Sequence, residues 1–220
     1  GRAWCERLVG RVNGARPDLI LFTGDQADGP LALRRGDLEP LGGLRAPEGS
    51  FLITGNHEHY FETEAYLRFY EGLGIRVLDG RTATVRGLGL MGLPDRRSLT
   101  RLGDDAIRLR GLREALPRGA FPVLLVHKPG IAPEADALGV GLQLSGHTHG
   151  GQVPGVALAI RHFNGGFVRG WYTLPRGMRL FVAPGSGVWL GFPYRLYPSE
   201  ITVLTLRGGG AAGGAKKEKS

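Results

Sequence analysis

Seven polar side chains that could bind metal ions or transfer protons fall in four short clusters along the sequence. They are Asp25, Asp28, Asn56, His57, His127, His147 and His149. Carboxylate, amide and imidazole donors in such a set suit Mn, Fe or Zn ions. A single Asp or His after a strand is more often a helix cap or turn residue. The metal prediction therefore depends on all four clusters meeting in space.

Each cluster directly follows a short apolar run with the pattern of a buried strand. These runs lie at 19–23, 51–54, 122–126 and 140–144. In open α/β sheets ligands sit at the carboxyl ends of the strands, so we expect the four clusters to converge on one rim. Glycine precedes Asp25, Asn56 and His147. Its missing side chain lets the backbone turn sharply and come close to an ion.

The rest of the sequence predicts short helices and strands around these runs. Helices are expected at 3–12, 62–71, 104–116 and 132–138, and further strands at 75–78, 82–85, 88–93, 171–174, 180–183 and 201–206. Alternating strands and helices in the first half predict a mostly parallel sheet, and the strand-rich second half predicts a second sheet packed against it. We expect one layered α/β domain at 1–207 and a disordered Gly/Lys-rich tail at 208–220.

Composition narrows the class of protein further. Cys5 is the single cysteine of the 220 residues, which excludes an intramolecular disulfide and a thiolate metal cluster. No apolar run is long enough to predict a transmembrane segment in this chain. The net charge is +8, but its arginines are scattered and form no basic block interleaved with aromatic residues, so no clear nucleic-acid surface is predicted. Compartment and oligomeric state remain open.

Four segments resemble signature blocks of the calcineurin-like metallophosphoesterases, in that family's order. They are 24–28 (Gly-Asp-Gln-Ala-Asp), 55–58 (Gly-Asn-His-Glu), His127 and 146–149 (Gly-His-Thr-His). Smaller details, at 150–152, 185–187 and 198–201, resemble the bacterial YkuE-like phosphodiesterase subgroup, which includes membrane-associated members. The resemblance implies an α-β-β-α sandwich and a metal-dependent phosphoester hydrolase with two divalent or trivalent ions.

By the same resemblance, five residues would hold the metal ions. Asp25 would bridge both ions, because a carboxylate can bind two cations through its two oxygens. Asn56, His127 and His147 would complete the protein ligands of the second ion. His149 would bind the first ion.

Two further residues would carry the proton chemistry of the implied reaction, in which a metal-bound hydroxide attacks phosphorus. His57 would act as general acid at the leaving oxygen. Asp28 would orient its ring through a carboxylate–imidazole pair. The resemblance implies a phosphoester substrate, and whether it is lipid-linked stays open.

The family's first block, an Asp-x-His after the first strand, is absent upstream of Asp25. We therefore expect a chain that begins after that block, lacks the first strand and is weakly active or inactive by itself. The first ion would keep only Asp25 and His149 as protein ligands, too few for a tight site. The parent protein could be membrane-associated. Two alternatives remain: a non-catalytic binding module on the same fold, and a nuclease.

Overall fold

A computed structural model describes residues 1–26, 28–95, 102–187 and 199–208, and its strands form two sheets within these ranges. The smaller sheet is parallel and has the order β1-β2-β3, with β1 at Ile20–Phe22, β2 at Ser50–Leu52 and β3 at Ile75–Val77. The larger sheet has the order β4-β5-β6-β7-β9-β8. Its strands are β4 (Thr82–Val85), β5 (Leu88–Leu93), β6 (Phe121–Val126), β7 (Leu142–Ser145), β8 (Gly170–Thr173) and β9 (Arg179–Val182).

The larger sheet is parallel in its centre and antiparallel at both edges. Strands β5, β6, β7 and β9 run parallel, whereas β4 and β8 pair antiparallel with their neighbours. The α-helices of the described ranges are α1 (Arg2–Gly14), α2 (Leu31–Leu38), α3 (Asn56–Tyr60), α4 (Thr63–Gly72), α5 (Leu102–Glu114), α6 (Ala132–Ala137) and α7 (Pro154–Phe163).

Alternation along the strands divides the apolar side chains into three clusters. Phe51 and Ile53 join Val123 and Leu125 in a cluster between the two sheets, whereas Leu52 faces the other way. Leu52 belongs to a second cluster, which packs the smaller sheet against α1, α2 and α4. A third cluster packs the larger sheet against α5 and α6. Because successive strand residues point to opposite faces, the result is the expected α-β-β-α sandwich.

Most of the predicted elements are confirmed within one or two residues, and three differences are informative. The strand predicted at 201–206 is wrong, because these residues form no ladder and Val203 stays exposed. Strand β1 was expected to be buried on both faces, but it lies at a sheet edge in the described chain and is only half-buried. Helices α2 and α7 were not predicted.

The domain boundary at 207 stays a prediction, because the predicted tail, apart from Gly208, lies outside the described residues. Across the described ranges, no helix has both the length and the apolar character needed to cross a bilayer.

Candidate metal centre

Asp25 lies in the loop after β1 and is held there by the backbone of the neighbouring motif. The N–H of His57, in α3, donates to Asp25 Oδ1 at 2.9 Å. The two loops touch at their glycines. A Cβ on Gly24 would lie 2.5 Å from Gly55 N, and a Cβ on Gly55 would overlap the Asp25 carboxylate. The glycines predicted to permit a close backbone approach do so at these two positions.

Three of the predicted ligands converge on one point. Suitable ligand atoms of Asp25, His127 and His147 all lie within 4.8 Å of one another. Asp25 Oδ2 is 2.9 Å from His127 Nε2, and His147 Nδ1 is 3.2 Å from the same nitrogen. The first contact joins the loop after β1, in the smaller sheet, to the end of β6, in the larger sheet. The cluster therefore spans the carboxyl ends of both sheets.

The ring of His127 is fixed by the backbone. Its Nδ1–H donates to the Thr23 carbonyl oxygen at 2.6 Å, and the side chain is almost completely buried. This leaves Nε2 directed at Asp25 and His147. Metal-binding histidines commonly donate their other N–H to a backbone carbonyl in this way, which sets the tautomer and the ring orientation. The geometry of His127 therefore fits a metal ligand.

Burial and mutual contact shift the pKa values of the three residues in the cluster. Burial favours the neutral form of Asp25, but the hydrogen bonds and charges of His127 and His57 together outweigh it and lower the pKa of Asp25 to about 2. Burial opposes the charge on His127, yet its bond to Asp25 raises the pKa of His127. Burial, followed by the charge of His127, lowers the pKa of His147 to about 3. The carboxylate of Asp25 and one nitrogen of each histidine thus point at one position, where a cation would be favourable.

Asn56 provides an independent observation in favour of a metal ion. Its Nδ2–H donates to the Tyr60 hydroxyl at 3.0 Å, but its Oδ1 is buried without a hydrogen-bond partner. A buried amide oxygen without a partner is costly, and such atoms commonly mark a water, an ion or a catalytic site. A divalent cation would satisfy this oxygen, so the donor set fits the predicted ions.

Three of the predicted ligands adopt a backbone conformation that side chains disfavour. Asp25 has φ 56°, His147 has φ 68° and His149 has φ 49°. A left-handed conformation at a non-glycine residue costs about 1–3 kcal/mol and persists only where the surroundings enforce it. Such strain concentrates at functional sites, which agrees with the predicted roles of these residues.

His57 and Asp28 form the predicted carboxylate–imidazole pair. His57 Nδ1 is 3.1 Å from Asp28 Oδ1, and its Nε2 is 3.9 Å from Asp25 Oδ2. The ring is mostly buried, whereas the Asp28 carboxylate is exposed. His57 therefore presents one nitrogen to the metal cluster and the other to an orienting acid.

Besides Asn56, His149 is the predicted ligand that lies outside the three-residue cluster. It opens a 3₁₀ helix at His149–Gly151, two residues beyond His147, and is half-buried. Its assignment to the first ion, like the roles of the other six residues, stays a prediction.

Two residues beside the cluster are more important than the sequence indicated. Glu58 is buried, and its carboxylate accepts backbone N–H bonds from both ligand loops. His59 is half-buried in α3 and hydrogen-bonds Thr54, which donates to Asp79. The position of Glu58 at the end of the Gly-Asn-His-Glu block, directly after a buried strand, is the sequence signal that could have identified it.

Comparison with known proteins places these residues in a family. The profile described as calcineurin-like phosphoesterase matches residues 5–151. An uncharacterised metallophosphoesterase of Helicobacter pylori is 32% identical over 206 residues, covering 90% of this chain and 54% of that protein. The uncharacterised metallophosphoesterase YkuE of Bacillus subtilis is 34% identical over 208 residues, covering 89% of this chain and 70% of that protein.

A vertebrate relative has a name that mentions a membrane. The zebrafish (Danio rerio) protein called transmembrane protein with metallophosphoesterase domain is 31% identical over 220 residues, covering 94% of this chain and 50% of that protein. The chain spans about half the length of this relative and of the Helicobacter pylori relative.

Proposed function

Because the chain belongs to the calcineurin-like phosphoesterase family, we propose that it hydrolyses phosphomonoesters or phosphodiesters in a reaction that depends on metal ions. One observation carries the proposal: Asp25, His127 and His147 meet within 4.8 Å, with the ring of His127 fixed by a backbone carbonyl. The buried, unpartnered Oδ1 of Asn56 beside this cluster supports it.

We assign two ions, of Mn, Fe or Zn, to the site. Asp25, Asn56, His127 and His147 would hold one ion, and Asp25 with His149 would contribute to the other. When bound, the ions would act as Lewis acids that activate water and stabilise negative charge on the entering and leaving oxygens.

The protein itself would position the substrate's leaving group and supply a proton. His57 Nε2 faces the cluster at 3.9 Å from Asp25 Oδ2, so a phosphoester held there would place its leaving oxygen near this nitrogen. Asp28 accepts from Nδ1 at 3.1 Å and would orient the ring. His57 would donate its Nε2 proton to the departing oxygen, which makes the alcohol a better leaving group.

Residues 1–220 supply fewer ligands to one ion than to the other, because Asp25 and His149 are its only assigned protein donors. A polypeptide of residues 1–220 by itself should therefore turn over slowly. A natural polypeptide that adds an upstream Asp-x-His segment should be the better enzyme.

A membrane location of the parent protein is also part of the proposal. It is supported by the zebrafish relative, whose name describes a transmembrane protein that carries a metallophosphoesterase domain. A lipid-linked phosphoester is the substrate class that this location favours.

The test is hydrolysis of nitrophenyl phosphate and bis-nitrophenyl phosphate by the longest natural polypeptide that contains this chain, with Mn added. His57→Ala should lower the rate by about a hundredfold while leaving bound Mn unchanged. His127→Ala should remove the metal and the activity together. His162→Ala, an exposed histidine of α7, is the matched control and should change neither. Absence of turnover with both substrates in metal-loaded protein would contradict the proposal.

A further inference from the structure

The solvent side of α7 is unusually apolar. We call the surface formed by Leu158, Ala159, His162 and Phe163 the α7 face. Leu158 is 74% exposed and Phe163 is 81% exposed, although both are large apolar side chains. At 100° per residue they lie about 140° apart on the helix, so the face is a broad surface.

The fold of α7 does not depend on this face. The opposite side of the helix packs on the loop that follows His149, where Ala157 Cβ would lie 2.8 Å from a Cβ on Gly151. Asn164 closes the helix by donating its Nδ2–H to the Ile160 carbonyl oxygen at 2.8 Å. The helix is therefore anchored on one side, and its exposed apolar side chains contribute nothing to that packing.

The surrounding sequence is free of acidic residues. No Asp or Glu occurs from 137 to 199, a stretch that contains Arg161 on α7 and Arg169 shortly after it. Both arginines are exposed. Exposed apolar side chains on a helix with basic neighbours are typical of helices that lie in the headgroup region of a bilayer. Basic side chains are attracted to the negative potential of anionic lipids.

We propose that the α7 face docks on an anionic lipid surface, with Leu158 and Phe163 entering the headgroup region. A second copy of the chain fits less well, because a symmetric contact through this face would bring Arg161 close to its own counterpart. A nucleic acid would satisfy the arginines but offers no apolar layer for Leu158. An anionic bilayer offers both an apolar layer for Leu158 and Phe163 and negative charge for the arginines.

Docking through the α7 face would hold the loop after His149 one helix diameter, about 10 Å, from the lipid surface, because that loop packs on the opposite side of α7. Gly150 and Gly151 follow His149 directly, and a Cβ on Gly150 would lie 3.2 Å from Arg169 Cδ. The loop of predicted ligands, α7 and Arg169 therefore form one continuous edge of the molecule. The site would then act on phosphoesters at the lipid–water interface, an inference that rests on the proposed function. The lipid contact itself does not rest on it.

The experiment is co-sedimentation of the protein with vesicles, which measures docking without reference to hydrolysis. The unmodified chain should bind vesicles of phosphatidylglycerol and phosphatidylcholine and should bind pure phosphatidylcholine far more weakly. Replacing Leu158 and Phe163 together by Gln should lower the affinity by at least roughly tenfold. The matched control replaces Leu33 and Ile107 by Gln. These residues are 73% and 72% exposed on α2 and α5, and their replacement should leave binding unchanged.

Four results would overturn the proposal. The first is equal binding by the two double variants, and the second is no binding of the unmodified protein to anionic vesicles. The third is a dimer in solution that becomes monomeric in the Leu158/Phe163 variant, which would assign the face to a second copy. Tight binding of a single-stranded oligonucleotide without vesicle binding would assign the arginines to nucleic acid instead. None of these results depends on phosphoesterase activity.

Discussion

At the scale of single residues, the predicted metal ligands combine burial, charge and backbone strain. His147 shows all three: it is half-buried, its pKa is lowered to about 3 by burial and by the charge of His127, and its φ is 68°. None of these properties stabilises the metal-free protein. They are explained if His147 is held in place to bind a cation, with the surrounding sheets maintaining its conformation.

Replacing His147 should reveal this strain directly. In the metal-free protein we expect His147→Gly to be more stable than His147→Ala by about 1 kcal/mol, because only glycine adopts a positive φ without cost. Urea unfolding of the two variants measures the difference. Both variants should lose metal binding.

His59 provides the matched control for this comparison, since it lies in the helix α3 of the neighbouring motif. There the order should reverse, with the Ala variant more stable than the Gly variant by up to about 1 kcal/mol. If the Ala variant were more stable than the Gly variant at position 147 as well as at position 59, the backbone at His147 would not be strained.

At the scale of elements, Glu58 joins the two ligand loops of the smaller sheet. Its Oε2 accepts from the Asp25 and Gly55 N–H groups at 3.0 and 2.9 Å, and its Oε1 accepts from the Gln26 N–H at 2.7 Å. The carboxylate is only 1% exposed, and burial followed by the charge of Asp25 raises its pKa. The buried Glu58 carboxylate thus accepts hydrogen bonds from three backbone N–H groups.

Glu58→Gln tests this role, because the change keeps the side-chain shape but turns one acceptor oxygen into a donor that faces an N–H. We expect a loss of about 1–3 kcal/mol in unfolding free energy. Metal affinity should fall on the order of tenfold, since the ligand loops lose their common support. Thermal unfolding and Mn titration measure the two effects.

Glu64→Gln is the control, because Glu64 is an exposed acid in α4. It should alter neither quantity. A Glu58→Gln variant with unchanged stability and unchanged metal affinity would show that the carboxylate does not position the loops.

The elements also show which features the sequence could predict. Apolar runs predicted nearly every strand, because alternation and β-branched content are local properties. The run at 201–206 has the same pattern but forms no strand, since a strand also needs a partner and its pairing is not encoded locally. Helix α7 was missed because the glycines and prolines in and around it indicate a connection between strands rather than a helix.

At the scale of the whole molecule, the site lies where the two sheets meet. Asp25 and Asn56 follow strands of the smaller sheet, and His127 and His147 follow strands of the larger sheet. The sequence predicted that these clusters converge, since strand ends carry ligands in α/β folds. It also predicted one sheet from the first half of the chain and one from the second, but it did not predict the strand order of the larger sheet, because that order depends on contacts between distant segments. A cation at this position would tie the two sheets together.

The most direct test of this account is anomalous diffraction from crystals grown with saturating Mn. We predict an anomalous peak enclosed by Asp25, Asn56, His127 and His147, and the loss of that peak in His127→Ala crystals. His162→Ala crystals should keep it. A Mn-loaded crystal with no peak at this cluster, or with its ordered ions bound elsewhere, would contradict the assignment of these loops as a metal centre.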